Sequence, residues 1–137
     1  MTQHDNPELR QNLTPYFVTR KEKTAMLWQF GENGAVGANT YLQQIGSATM
    51  LPALGFVAPF DIAIWGYGIT RLNANAGTIE IRDNGVAVVS IVMGANLLLA
   101  NYINEATIAA GRVMTAYWNS ANPTADVQGY VFCYVRP

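Results

Sequence analysis

The sequence predicts an all-β protein that folds as a sandwich or barrel of short strands. Segments rich in apolar and β-branched residues recur along most of the chain, and turn-forming residues separate them at regular intervals. In TIEIRDNGVAVVSI, residues 78–91, Asn84-Gly85 is a dipeptide typical of a two-residue type I′ turn, and an alternating segment precedes it. We therefore expect a hairpin here. Its second strand has Ser90 as its only polar residue, which leaves no evident face for water.

The N-terminal segment differs from the rest of the chain. Residues 1–24 are polar and contain Pro7 and Pro15, so we expect them to form an extended arm. A chain of 137 residues is long enough for one domain with a substantial core. We place that domain, a β-sandwich, at residues 25–137.

The expected strands follow the apolar segments of this domain. They lie at residues 25–30, 40–45, 56–72, 78–82, 86–93, 97–103, 107–108, 112–119 and 127–136. Residues 31–39 contain three glycines and are expected to form a flexible turn. A helix over residues 97–111 is an alternative, but Asn101, Asn104 and the β-branched residues favour strands.

Charge is scarce, and this limits the partners of the protein. Charged residues make up 12% of the chain, against about 25% in typical soluble domains. A net charge of −1 without a clustered basic patch opposes binding to nucleic acid or to an anionic membrane, and no apolar run is long enough to span a bilayer. We expect no nucleic-acid or membrane partner. Low charge favours self-association. The alternative is that the surface is solvated by neutral amides and hydroxyls instead of charged groups.

The residues that catalysis requires are also scarce. His4, the only histidine, lies in the arm, and Ser47, Ser90 and Ser120 stand in no nucleophile motif. Cys133 lies in the last expected strand and is expected to be a buried, unreactive thiol. We therefore expect no catalytic residues, no metal site and no cofactor. A β-sandwich enzyme is the weakest of the functional alternatives.

The aromatic residues say more about function than the charged and catalytic residue types do. Trp118 precedes an asparagine-containing turn, where an indole ring could stack on a sugar or contact a partner protein. Packing in the core is the alternative for the same side chain. Trp118 is therefore the candidate contact for a glycan or a partner.

The stretch from Phe56 to Arg136 carries a resemblance to a known family. It contains FVAPFD, the hairpin TIEIRDNG, then TIAAGRVMTAYWN and the closing aromatic strand VFCYVR. This pattern resembles the trimeric jelly-roll domains with C1q/TNF-like topology in bacteriophage structural proteins, which include capsid decoration (cement) proteins, head-fibre proteins and tail-fibre tips.

The resemblance implies a jelly-roll β-sandwich assembled as a homotrimer around a three-fold axis. One outer sheet face would be buried between subunits, so that the strand at residues 86–93 has protein on both sides. The candidate residues for this trimer interface are aromatic side chains, namely Trp65, Tyr67, Tyr102 and Tyr117.

The implied function is that of a non-enzymatic capsid decoration protein, which binds the assembled phage shell and stabilises it. Its partner would be the major capsid protein, and its location the capsid surface of the virion after synthesis in the host cytoplasm. Tyr16, Phe17 and Arg20 of the arm are the candidate capsid contacts. The alternative is a receptor-binding tip of a tail or head fibre, which recognises bacterial surface glycan through residues such as Trp118.

Overall fold

The computed structural model describes residues 24–44 and 49–136, and this part of the chain consists of strands, turns and loops without a helix. The prediction of an all-β fold is confirmed. In chain order the strands are β1 (Ala25–Val36), β2 (Thr40–Tyr41), β3 (Gln43–Gln44), β4 (Phe56–Val57), β5 (Asp61–Thr70), β6 (Thr78–Asp83), β7 (Val86–Val92), β8 (Leu98–Ile108), β9 (Val113–Asn119) and β10 (Thr124–Arg136).

The strands form two antiparallel sheets that pack as a sandwich. Sheet A has the order β3-β1-β10-β5-β8, and sheet B has the order β2-β9-β6-β7 with β4 also paired to β9. The longest pairings are those of β10, which lies between β1 and β5 in the middle of sheet A. Strands β7 and β8 are the edge strands of their sheets and come from one continuous stretch of chain.

The core fills the space between the sheets. Alternation along the strands places it there: Ile79 and Ile81 are buried, whereas Glu80 between them is only half-buried. Each sheet contributes large side chains that are almost completely buried. They include Trp28, Phe30, Ile62, Ile64 and Val131 from sheet A, and Ile79, Ile81, Ile91, Met114 and Trp118 from sheet B.

The hairpin predicted at Asn84-Gly85 is confirmed. Both residues have positive φ, 47° and 86°, as a type I′ turn requires, and Asp83 pairs with Val86 across it. The second strand, β7, has two faces after all. Val89 and Ile91 are buried, but Val92 is 70% exposed, so the outer face of this edge strand carries apolar side chains.

The flexible turn expected at residues 31–39 is wrong for most of that stretch, because β1 continues to Val36. The pairing of β1 with β10 skips residues between Glu32 and Ala35, which form a bulge. Gly34 in the bulge has a φ of 81°, and its N–H donates to Asp126 Oδ1 at 2.6 Å. A glycine thus serves here to extend a strand rather than to end it.

The helical alternative for residues 97–111 is wrong. Residues 98–108 form the single strand β8, and its pairing with β5 shifts register between Tyr102 and Ala106, where the sequence predicts a break between two strands. Most of the arm predicted for residues 1–24 lies outside the described residues. The candidate capsid contacts Tyr16, Phe17 and Arg20 lie outside them as well.

Candidate functional site

The outer side of sheet A carries a cluster of apolar side chains, which we call the aromatic face and define as Leu27, Trp65, Tyr102 and Phe132. The Trp65 and Tyr102 rings stack with their centroids 5.5 Å apart and 3° between their planes. Phe132 meets Trp65 edge-on, with centroids 4.6 Å apart. Three strands, β5, β8 and β10, therefore contribute rings to one contiguous surface.

A β-bulge places Trp65 on this face. Ile64 pairs with Cys133 and Gly66 pairs with Phe132, so Trp65 has no partner on β10. A bulge redirects side chains because the extra residue interrupts the alternation of the strand.

The aromatic face combines exposed apolar side chains with an absence of charge. Tyr102 on β8 is 77% exposed and Leu27 on β1 is 50% exposed, so apolar side chains reach the surface at both sides of this face. Interfaces are enriched in aromatic side chains and depleted in charged ones at their centres. None of the four residues of this face carries a charge.

The structure brings together only two of the four candidates for the trimer interface, Trp65 and Tyr102. Tyr67 pairs with the buried Val131 and packs against the core. Because the bulge at Trp65 shifts the alternation of β5, Tyr67 faces inward, and its assignment to an outer interface is corrected. Tyr117 lies on the other sheet, with its ring 4.8 Å from that of Tyr41, so it is not part of the aromatic face.

The candidate glycan contact Trp118 is also corrected, because its side chain belongs to the core. It is fully buried, and its Nε1 donates to the Asn122 carbonyl at 2.8 Å. A Cβ at Gly77 would lie 2.3 Å from the indole, which shows how closely the loop after β5 covers the ring. A sugar cannot stack on an indole that has no exposed surface.

A buried arginine fixes the loops around Trp118. Arg71 is 3% exposed, and its guanidinium donates to the carbonyls of Asn75, Gly94 and Asn96. The guanidinium carbon lies 5.4 Å from the Trp118 ring centroid. Burial lowers the pKa of Arg71 from its ordinary value, because desolvation disfavours the charged form. Its contacts are all with the protein itself, so we assign Arg71 a structural role.

The outer side of sheet B carries a smaller polar network. Arg82 lies 3.6 Å from the Tyr117 ring centroid and forms an ion pair with Glu80 at 2.6 Å. Burial alone would lower the pKa of Arg82, but hydrogen bonds with Glu80 and Tyr41 raise it above its ordinary value. The cation is thus already paired with Glu80 and hydrogen-bonded to Tyr41.

A groove of about 630 Å³ lies next to the aromatic face on sheet A. We call it the amide groove, because four glutamines, Gln29, Gln43, Gln44 and Gln128, are among its lining residues, together with Tyr130. The sequence analysis did not find this site. The only signal was a set of glutamines that are far apart in the sequence and meet only when β1, β3 and β10 pair.

Among the described residues, Glu32 is the only one in the lining of the groove that carries a carboxylate. Burial raises the pKa of Glu32 above its ordinary value of 4.5. Its Oε2 atom and the Oε1 atom of Gln44 are both buried and have no hydrogen-bond partner among the described residues. Two acceptor oxygens near the groove are therefore unsatisfied.

We also searched the described part of the chain for a metal site, a reactive thiol and a membrane-spanning helix. Residues 24–44 and 49–136 contain no cluster of three or more His, Cys, Asp and Glu side chains that could hold a metal ion. Cys133 is buried, and burial raises the pKa of its thiol to about 12. In the same residues no helix is long and apolar enough to cross a membrane.

Comparison with known proteins gives no relative: no family model, curated protein or solved structure matches this chain.

Proposed function

We propose that this chain is a non-enzymatic structural protein of a phage virion, a homotrimeric jelly roll that decorates the capsid and stabilises it. The observation that carries the proposal is the exposed aromatic face on sheet A. A contiguous apolar surface of this kind is most simply explained by burial against protein. The assignment to a virion rests on the sequence resemblance alone.

The order of strand pairing supports a jelly roll. Four pairs nest inside one another, β1 with β10, β2 with β9, β5 with β8, and β6 with β7. This nesting is that of one long hairpin with Asn84-Gly85 at its tip. When such a hairpin is wound into two sheets, as in a jelly roll, β10 also pairs with β5 and β9 with β6.

A second apolar patch supports three-fold assembly. In a three-fold ring each subunit presents two different patches, because the contact is head-to-tail. The aromatic face supplies one patch. The edge strand β7 supplies the other, where Val86 and Val92 are 65% and 70% exposed. This contact would cover the valines of β7.

Capsid stabilisation requires no catalysis. A ligand that binds only the assembled shell stabilises it by roughly 3–4 kcal/mol per site at 100 to 1,000 times its dissociation constant. In this proposal Tyr16, Phe17 and Arg20 of the arm contact the major capsid protein. The sandwich domain then serves to gather three arms, so that weak contacts add in one complex.

Co-sedimentation with purified capsids tests the proposal. The full chain is expected to pellet with the shells, and a variant without residues 1–20 is expected to remain a trimer in the supernatant. The triple variant Tyr16→Ala, Phe17→Ala, Arg20→Ala separates contacts of these side chains from the mere length of the arm. Unchanged shell binding after the deletion would contradict the role of the arm, and failure of the full chain to pellet would contradict capsid decoration.

The second candidate function is that of a receptor-binding tip that recognises bacterial surface glycan. With Trp118 buried, the observation that favours this function is the amide groove on sheet A.

A further inference from the structure

We propose that the amide groove is a binding site for a neutral oligosaccharide. The proposal deepens the second candidate function and gives it a site and a ligand class. It does not depend on capsid binding, because the groove is formed by residues of one subunit.

The side chains of the groove match a hydroxyl-rich, uncharged ligand. Each glutamine amide offers two N–H donors and a carbonyl acceptor, and sugar hydroxyls both donate and accept. Gln29 and Gln128 are exposed, and the exposed Thr70 hydroxyl adds a further donor and acceptor at the same groove. Among residues 24–44 and 49–136, no lysine or arginine lines the groove, so this part of the chain offers no cation to an anionic ligand there.

Tyr130 supplies an aromatic surface within the groove. A Cβ at Gly68 would lie 2.5 Å from the Tyr130 ring, so only glycine at this position lets the ring lie down across strand β5. Tyr130 nevertheless remains 39% exposed. A ring supported from below and open above can pack against the apolar face of a sugar while its rim keeps polar contacts.

The position of the groove is compatible with assembly through the aromatic face. On β8 the groove includes Leu98, Leu99 and Ala100, whereas Tyr102 lies farther along the strand and is not part of its lining. On β5 the groove begins at Gly68, beyond Gly66, which pairs with Tyr102. The two surfaces therefore share no residue and lie next to each other on sheet A.

Titration calorimetry of the full chain with defined sugars tests the proposal. The probes are cellohexaose, maltohexaose, laminarihexaose and the hexamer of N-acetylglucosamine, with hexagalacturonate as an acidic probe. At least one neutral hexamer is expected to bind with a dissociation constant of about 0.1–1 mM, and hexagalacturonate is expected to bind more weakly. No heat of binding from any neutral hexamer at about 10 mM, or tighter binding of the acidic probe, would overturn the proposal.

Variants locate the binding. Tyr130→Leu and Gln128→Ala are each expected to weaken it about tenfold, because one removes the ring and the other an exposed amide. Gln128→Ala is an exposed substitution and gives an answer even if Tyr130→Leu does not fold. Tyr117→Leu on sheet B is the matched control and should leave the affinity unchanged. Equal affinity in Gln128→Ala and the unmodified chain, or equal weakening by Tyr117→Leu, would show that the sugar does not bind in the groove.

Discussion

Trp65 and Tyr102 lie parallel on the outer side of sheet A, with their ring centroids 5.5 Å apart and an angle of 3° between the planes. The stack joins a bulge in β5 to the edge strand β8. Since Tyr102 remains 77% exposed, one side of the stack is available to another molecule. A flat, exposed aromatic pair at the edge of a sheet is suited to become the centre of a subunit contact.

Tyr102→Ala is expected to weaken assembly of the chain. Truncation of a central aromatic anchor typically costs 2 kcal/mol or more, so the dissociation constant of the assembly should rise by about 30-fold or more. Sedimentation velocity over a range of concentrations measures this change. Tyr117→Ala on sheet B is the control. An unchanged assembly in Tyr102→Ala, or an equal loss in Tyr117→Ala, would contradict the assignment of the interface to sheet A.

Arg71→Met should destabilise the fold strongly. The substitution removes hydrogen bonds to the carbonyls of Asn75, Gly94 and Asn96, and we expect a loss of roughly 3 kcal/mol from buried acceptors left without donors. Urea denaturation measures the free energy of unfolding. Arg112→Met is the control, because Arg112 pairs with Asp83 at the surface, and such exposed pairs contribute about 1 kcal/mol or less. Similar losses in both variants would be contrary to this account.

Glu32→Gln should change the pH dependence of stability. The folded-state pKa of Glu32 lies above its ordinary 4.5, so the native state holds this proton more tightly than the unfolded state. The contribution of Glu32 to stability is therefore present below pH 4.5 and is lost as the pH rises through the folded-state pKa. Glu32→Gln should unfold at a higher temperature than the unmodified chain at pH 7 and at the same temperature near pH 4. A variant that is less stable at pH 7 would contradict the raised pKa.

Cys133 should not react in the native protein. Burial raises the pKa of the thiol to about 12, so almost no thiolate is present at neutral pH, and the sulfur is shielded from reagents. Alkylation by iodoacetamide at pH 8 is expected to be slow in the native chain and fast in urea, as followed by mass spectrometry. Equal rates in the two conditions would mean that the thiol is accessible.

Local signals in the sequence were sufficient to predict many of the strands and the hairpin of the sandwich. Asn84-Gly85 predicts its hairpin because the two positive φ angles are a local requirement. The glycines at residues 31–39 led to the wrong prediction of a flexible turn. Gly34 lies instead in a bulge, where its N–H donates to Asp126, a residue far along the chain. The helical alternative at residues 97–111 is decided by pairing with β5, which no local pattern reveals.

The site residues were harder to predict because they depend on strand register. Trp118 looked exposed beside its turn, but Arg71 and Gly77 come from a distant loop to cover it. Trp65 and Tyr67 both looked suitable for an interface, and a bulge separates them onto opposite sides of sheet A. The amide groove requires residues from β1, β3, β5, β8 and β10. Sequence patterns report the period of a strand, but they do not report bulges or the neighbours across a sheet.

The central claim is that copies of this chain bury the aromatic face against one another in a trimer. The most direct test is the native mass of the full chain, measured by light scattering coupled to size exclusion at several loading concentrations. The account predicts a single species at three times the chain mass of 14.9 kDa. A stable species of 14.9 kDa at the highest concentration would contradict it.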